Sequence, residues 1–296
     1  MMTTLRAIFK TMRPKQWTKN VVVYAALVFD GKFLELPLFL KTTALFALFC
    51  LISSSVYLLN DLADIEKDRQ HPQKRHRPLA SGELQPRYAV FTTIVLVLFS
   101  LPAAWLLDPL AGLFLAAYFV MNVAYSFWLK HMVILDVFTI AAGFVLRVAA
   151  GAAVVQVERF SPWLYVCITL LALIIALGKR RAELVALEGD AGNHRAILDE
   201  YNLNFLDHLI SLTTGATVVA YSLYTFSAQN LPENHLMMLT IPIVIYFLFR
   251  YLYLIHVRQL GGAPDELIFK DKPLFFSAAF WALAVVVILY VSNYHP

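Results

Sequence analysis

Charge is the scarcest commodity in this chain of 296 residues. Only 15% of positions are Asp, Glu, Lys or Arg, where a soluble domain carries about 25%. That shortfall excludes a soluble globule and a disordered chain. Cysteine is equally sparse. Cys50 and Cys167 are the only two, and both lie in apolar runs, so they read as small buried hydrophobes rather than a disulfide framework or a metal pair. The first twenty residues, MMTTLRAIFKTMRPKQWTKN, lack a compact apolar core with a small-residue cleavage site, so no signal peptide is expected. No lipidation motif stands out. What is abundant is apolar surface: 60% of residues, with a mean hydropathy of +0.66. A membrane-crossing helix needs roughly 20 apolar residues, and the apolar total would supply about nine. The expected fold is an all-α membrane protein, with residues 1–296 forming a single polytopic domain.

Apolar runs place the nine expected spans at 21–39, 41–59, 88–107, 109–128, 133–155, 162–178, 207–227, 236–256 and 274–293. The first is weakest, because Asp30, Gly31, Lys32 and Pro37 interrupt it. Long polar stretches remain at 60–87, 179–206 and 257–273, and residues 5–19 read as a basic interfacial helix. With a cytoplasmic N-terminus, 19 of the 24 Lys and Arg residues fall on the cytoplasmic side. Lys32, Lys41 and Arg159 fall outside, and Arg147 and Arg250 lie within spans. The positive-inside rule thus accounts for the net charge of +4 without invoking nucleic acid. It puts all three polar loops on the cytoplasmic face. An internal repeat is only hinted at, by the charged segments that follow spans two and six.

The chemistry is concentrated after the second span, in YLLNDLADIEKDRQHPQKRHRPLASG (57–82). Asn60, Asp64 and Asp68 are spaced i, i+4, i+8, which places them on one face of a helix, with Asp61 beside them. Oxygen donors on successive turns suit a hard cation such as Mg2+, which bridges to substrate phosphates rather than filling an all-protein cage. Lys74, Arg75, His76 and Arg77 follow directly. Acids for a metal and bases for phosphate oxygens form a diphosphate-handling set. The bland alternative is a solvated helix with ordinary cytoplasmic charges.

In this pattern the chain resembles the UbiA-type prenyltransferase superfamily, whose NDxxDxxxD motif appears here as Asn60, Asp61, Asp64 and Asp68. Within it, the chain is most similar to the decaprenyl-phosphate phosphoribosyltransferases. RPKQWTKN (13–20), the HPQKRHRPLASG continuation, YSFWLKH (125–131), GFVLRVAAG (143–151), GKRRAEL (178–184), YNLNFLD (201–207), Arg250-Tyr251 and GGAPDELI (261–268) carry the likeness along essentially the whole chain. Aromatic prenyltransferases resemble one another in a second DxxxD motif after the sixth helix. This chain has none there, and offers Lys179, Arg180, Arg181 and Glu183 instead. One acidic cluster and one basic cluster favour a diphosphate donor paired with an anionic acceptor.

The resemblance implies transfer of phosphoribose from phosphoribosyl pyrophosphate (PRPP) to a polyprenyl phosphate at a bacterial plasma membrane, with Mg2+ and a site facing the cytoplasm. Asn60, Asp64 and Asp68 would hold the metal, and Asp61, Asp64, Asp68 and Arg147 would serve catalysis. Lys15, Lys19, Lys74, Arg75, Arg77, Lys130, Lys179, Arg180 and Tyr201 would contact substrate. Arg147 falls mid-span, where a charge is costly and should face the bundle interior with a partner. Gly143 and Gly151 flank it and would admit a close neighbour. Glu183 reads either as a helical partner of Lys179 or as a second metal ligand, and Trp17 as a membrane-belt residue. The competing activities are an aromatic prenyltransferase and a transporter. Oligomeric state, a homo-oligomer included, stays open, because lipid-facing apolar surface hides protein interfaces.

Overall fold

The computed structural model describes residues 2–70, 74–157, 161–187, 196–229, 231–232, 234–262 and 264–292. Arg159, Arg195 and His71 lie outside them. Every regular element among the described residues is helical. In chain order these are α1 (Met2–Thr11), a 3-10 helix (Pro14–Tyr24), α2 (Ala25–Phe29), α3 (Leu36–Ala63), α4 (Ile65–Gln70), α5 (Pro86–Leu107) and α6 (Pro109–Phe127). They continue with α7 (Leu135–Val155), α8 (Pro162–Leu187), α9 (Leu203–Ser227), α10 (Ile241–His256), α11 (Pro264–Lys270) and α12 (Lys272–Ser292).

Local chemistry sets the boundaries. Proline occupies the first turn of α3, α5, α6 and α10, where its missing N–H costs nothing. The Asp108 carboxylate accepts from Ala111 N–H at 2.7 Å and starts α6, while Asn202 accepts from Phe205 N–H at 2.8 Å and starts α9.

Eight helices among the described residues are long and apolar enough to cross a membrane. They coincide with eight of the nine expected spans. The stretch expected as the first span, 21–39, is divided among the 3-10 helix, the five-residue α2 and the start of α3. Gly31 at φ 69° makes the break, and Pro37 then opens α3, which runs 28 residues without interruption. The polar stretches are more helical than expected: α8 carries GKRRAEL to Leu187, and α11 lies within 257–273. Large apolar side chains such as Leu98, Leu106, Leu212 and Phe280 are exposed, as helices lying against lipid require.

The chain forms two compact units. The first comprises Met1–Leu27, Glu35–Lys130 and Leu146–Gln156; the second comprises Val28–Leu34, His131–Val145 and Val157–Pro296. In the first, α3 packs along α5 and α6 around Leu45, Phe49, Ile52, Leu115 and Val154. In the second, α8 packs along α9 and α10 along α12, around Leu173, Leu177, Leu206, Ile210 and Leu254. Gly151 permits one close approach within the first unit, since a Cβ there would overlap the Val23 carbonyl. Gly to Ala inside a helix ordinarily stabilises by roughly 0.5–1 kcal/mol. Here Gly151→Ala should do the opposite, lowering the unfolding temperature in detergent through overpacking worth about 1–3 kcal/mol. An unchanged or higher melting temperature would show that the contact is not tight.

Candidate functional site

In the first unit, the acidic motif straddles a helix break. α3 ends at Ala63, and Asp64 follows at φ −104°, ψ 11°, the sparsely populated bridge region where many functional residues sit. The chain re-enters helix at Ile65. The regular i, i+4, i+8 face expected for Asn60, Asp64 and Asp68 is therefore bent at its middle member.

Each aspartate of the motif meets a cation. Asp61, 2% exposed, accepts from Arg13 at 2.5 Å and from Arg77 at 3.1 Å. The same Arg77 nitrogen bonds Asp68 at 2.7 Å. Asp64 pairs with Lys130 Nζ at 3.3 Å and keeps a side chain 28% exposed. Asp61 is thus held between two guanidiniums, an anchor for Arg13 and Arg77 rather than an accessible group. Arg13 adopts φ 53°, ψ 62°, a left-handed conformation unusual for a side-chain-bearing residue. It breaks the expected 5–19 helix after α1, and its guanidinium also lies 4.9 Å from the centre of the Tyr57 ring.

The segment that follows is stitched to α3. The Trp17 indole N–H donates to Ser54 Oγ at 3.0 Å, which packs this side chain against α3. Asn20, fully buried, donates to Cys50 Sγ and Ser53 Oγ, both at 3.3 Å, and accepts from Arg147 Nε at 2.7 Å. Arg147 also donates to the Tyr118 hydroxyl at 2.7 Å. The expected interior-facing arginine is thus 6% exposed and bonded to the neutral oxygens of Asn20 and Tyr118. Lys15 and Arg75 are exposed, and Asn60, Lys19 and Lys74 half-buried.

In the second unit, two residues expected to contact substrate are committed elsewhere. Arg180 is 1% exposed and donates to Asp136 at 2.6 Å and to Glu183 at 2.5 Å. The Tyr201 hydroxyl donates to the other Asp136 oxygen at 2.7 Å and accepts from Ile134 N–H at 2.7 Å. Burial, reinforced by the Asp136 carboxylate, pushes the Tyr201 phenol well above its ordinary range, so it stays a donor. Glu183 thus partners Arg180. Arg181 joins Asp207 at 2.6 Å and donates to the Ile255 carbonyl at 3.0 Å, while Lys179 is half-buried. Arg250, expected within a span, forms a two-bond pair with Asp271 at 3.0 and 2.7 Å.

The sequence reading missed Asp136, Asn20 and Tyr118. Asp136 carried a signal: an acid inside an apolar run demands a partner. Asn20 and Tyr118 are neutral and gave none.

The donor set of the acidic motif is all oxygen, as Mg2+ prefers. No group of three Asp, Glu, His or Cys side chains converges into a ready cage among the described residues. Mg2+ needs only one or two carboxylates when phosphates complete its shell, and Asn60, Asp64 and Asp68 supply oxygen donors of that type.

Asp136 and Arg180 offer a clean energetic test. Removing one partner of a buried pair strands the other charge, at about 3–5 kcal/mol, whereas replacing both with apolar groups is often neutral. Asp136→Leu should lose thermal stability sharply in detergent, and Asp136→Leu/Arg180→Met should recover much of it. Equal losses would show that the stranded Arg180 charge is not what destabilises the single variant.

Comparison with known proteins places this architecture. Residues 21–270 match the model of the UbiA prenyltransferase family. The chain is 33% identical to decaprenyl-phosphate phosphoribosyltransferase of Mycolicibacterium smegmatis, over 96% of this chain and 93% of that one. It is 31% identical to the Mycobacterium tuberculosis enzyme of the same name, over 94% and 92%. The structure of a UbiA homolog from Archaeoglobus fulgidus bound to DMAPP and Mg2+ superimposes with a TM-score of 0.73, covering 96% of this chain and 99% of that one at 18% identity. The eight apolar helices, the shared fold and the match along most of its length together establish that this integral membrane protein belongs to the UbiA prenyltransferase family.

Proposed function

We propose that the protein transfers phosphoribose from PRPP to a polyprenyl phosphate, releasing diphosphate. The observation that carries this is the alignment of more than nine-tenths of the chain with relatives named decaprenyl-phosphate phosphoribosyltransferase. The carboxylate inventory agrees. Glu183, the acid of GKRRAEL, is bound to Arg180, and the sequence that follows it carries no DxxxD motif for a prenyl diphosphate.

In this reading Asn60, Asp64 and Asp68 hold Mg2+. The ion, when bound, neutralises the leaving diphosphate. Ribose C1 passes through an oxocarbenium-like state, as at other glycosidic centres, and a lipid phosphate oxygen attacks it. That oxygen is already ionised near neutral pH, so neither a protein nucleophile nor a strong general base is required. The protein's work is orientation and charge stabilisation. Lys15, Lys19, Lys74, Arg75, Arg77, Lys130 and Lys179 are the proposed phosphate contacts. Asp61 positions Arg13 and Arg77, Arg147 positions Asn20, and Arg180 and Tyr201 position Asp136. The chain is read as a single membrane domain in a bacterial inner membrane, and the Lys and Arg distribution supports an N-terminus and site that face the cytoplasm.

Purified protein in detergent with Mg2+ should release diphosphate from PRPP only when a polyprenyl phosphate is present. Asp64→Asn should reduce that rate about a hundredfold or more, while its melting temperature stays near wild type because Asp64 is partly exposed. Turnover of a prenyl diphosphate with an aromatic acceptor, and none of PRPP, would replace this reading with aromatic prenyl transfer.

A further inference from the structure

Three aspartates and three cations stand together in the first unit. Asp61 has Arg13 and Arg77, Asp68 has Arg77, and Asp64 has Lys130. The formal charges of this set cancel. A motif suited to a divalent cation thus already carries its counter-charge in its own side chains.

We propose that the acidic motif is an exchange site. Lys130 and Arg77 hold Asp64 and Asp68 until a diphosphate takes these two cations over, so the carboxylates accept a divalent cation only together with that diphosphate. The inference rests on the proposed assignment of Asp64 and Asp68 as metal ligands.

The argument is electrostatic. A bare dication at Asp64 would be placed against an ammonium 3.3 Å from that carboxylate. The Lys130 side chain is only 14% exposed, so water screens that repulsion poorly. Nothing in a bare ion compensates Lys130 for its lost partner. A diphosphate does, because its oxygens accept from ammonium and guanidinium in charge-assisted bonds. Both cations suit the transfer: Lys130 swings on a flexible four-carbon stem, and Arg77 can leave Asp68 without stranding Asp61, which retains Arg13. Arg13 is the fixed member of the set, bound to a buried carboxylate and lying over Tyr57. Asp64 and Lys130 are the exchangeable pair.

The test is direct binding of Mn2+ to the full chain in detergent, read as loss of the free-ion electron paramagnetic resonance signal beyond the loss that the same PRPP or pyrophosphate causes without protein. Wild type should bind Mn2+ weakly alone and at least tenfold more tightly with PRPP or inorganic pyrophosphate. Lys130→Met and Lys130→Gln, which remove the competing ammonium, should each bind Mn2+ alone about fivefold more tightly than wild type. Lys130→Arg, which keeps the charge, should stay as weak as wild type. Two neutral variants guard against one that fails to fold. Linkage supplies a check without any variant, since Mn2+ must raise PRPP affinity by the same factor. Tight Mn2+ binding to wild type without diphosphate, or neutral variants no tighter than wild type, would overturn the exchange. Enhancement by pyrophosphate and a prenyl diphosphate but not by PRPP would uphold the exchange and overturn the proposed donor instead.

Discussion

The interaction on which the rest of the site depends is the ion pair between Asp61 and Arg13. A carboxylate 2% exposed at the end of a membrane-length helix is tenable only with its charge matched. Arg13 matches it from a left-handed backbone position that ends α1. The chain that leaves this corner carries Lys15, Trp17, Lys19 and Asn20 along α3, where Trp17 reaches Ser54 and Asn20 reaches Ser53. Asn20 in turn accepts from Arg147, whose next helical turn is packed tightly enough that Gly151 touches the Val23 backbone. One buried charge therefore organises the acidic motif, the N-terminal basic segment and the mid-helix arginine.

The second unit follows the same rule with different residues. Asp136 is fully buried, and Arg180 and Tyr201 supply its partners from elsewhere in that unit. A basic run read from sequence as phosphate-binding is thus partly spent on internal neutralisation. In a protein with so few charges, those at helix ends serve structure and chemistry together, and geometry separates the two roles.

Hydropathy made most of the architecture legible. Eight apolar runs became eight helices because length and composition alone satisfy the requirement for crossing lipid. The ninth, 21–39, did not, since Gly31 and Pro37 impose a turn and a new helix start that outweigh a modest apolar average. The acidic motif was also legible, because oxygen donors at helical spacing carry their chemistry in their order. Its bend at Asp64 was not, nor was the pairing of each acid. Arg13 and Lys130 lie 48 and 66 positions from their partners, and no local pattern encodes contacts at that distance. Asn20 and Tyr118 escaped notice for a related reason: as neutral residues they acquire significance only once Arg147 is seen against them.

Mass spectrometry of the lipid product tests the central claim most directly. Wild-type protein with Mg2+, PRPP and decaprenyl phosphate should yield a lipid heavier than its precursor by one phosphoribosyl group, linked through the original lipid phosphate. A decaprenyl phosphate recovered unchanged under conditions where the same preparation prenylates an aromatic acceptor would contradict it.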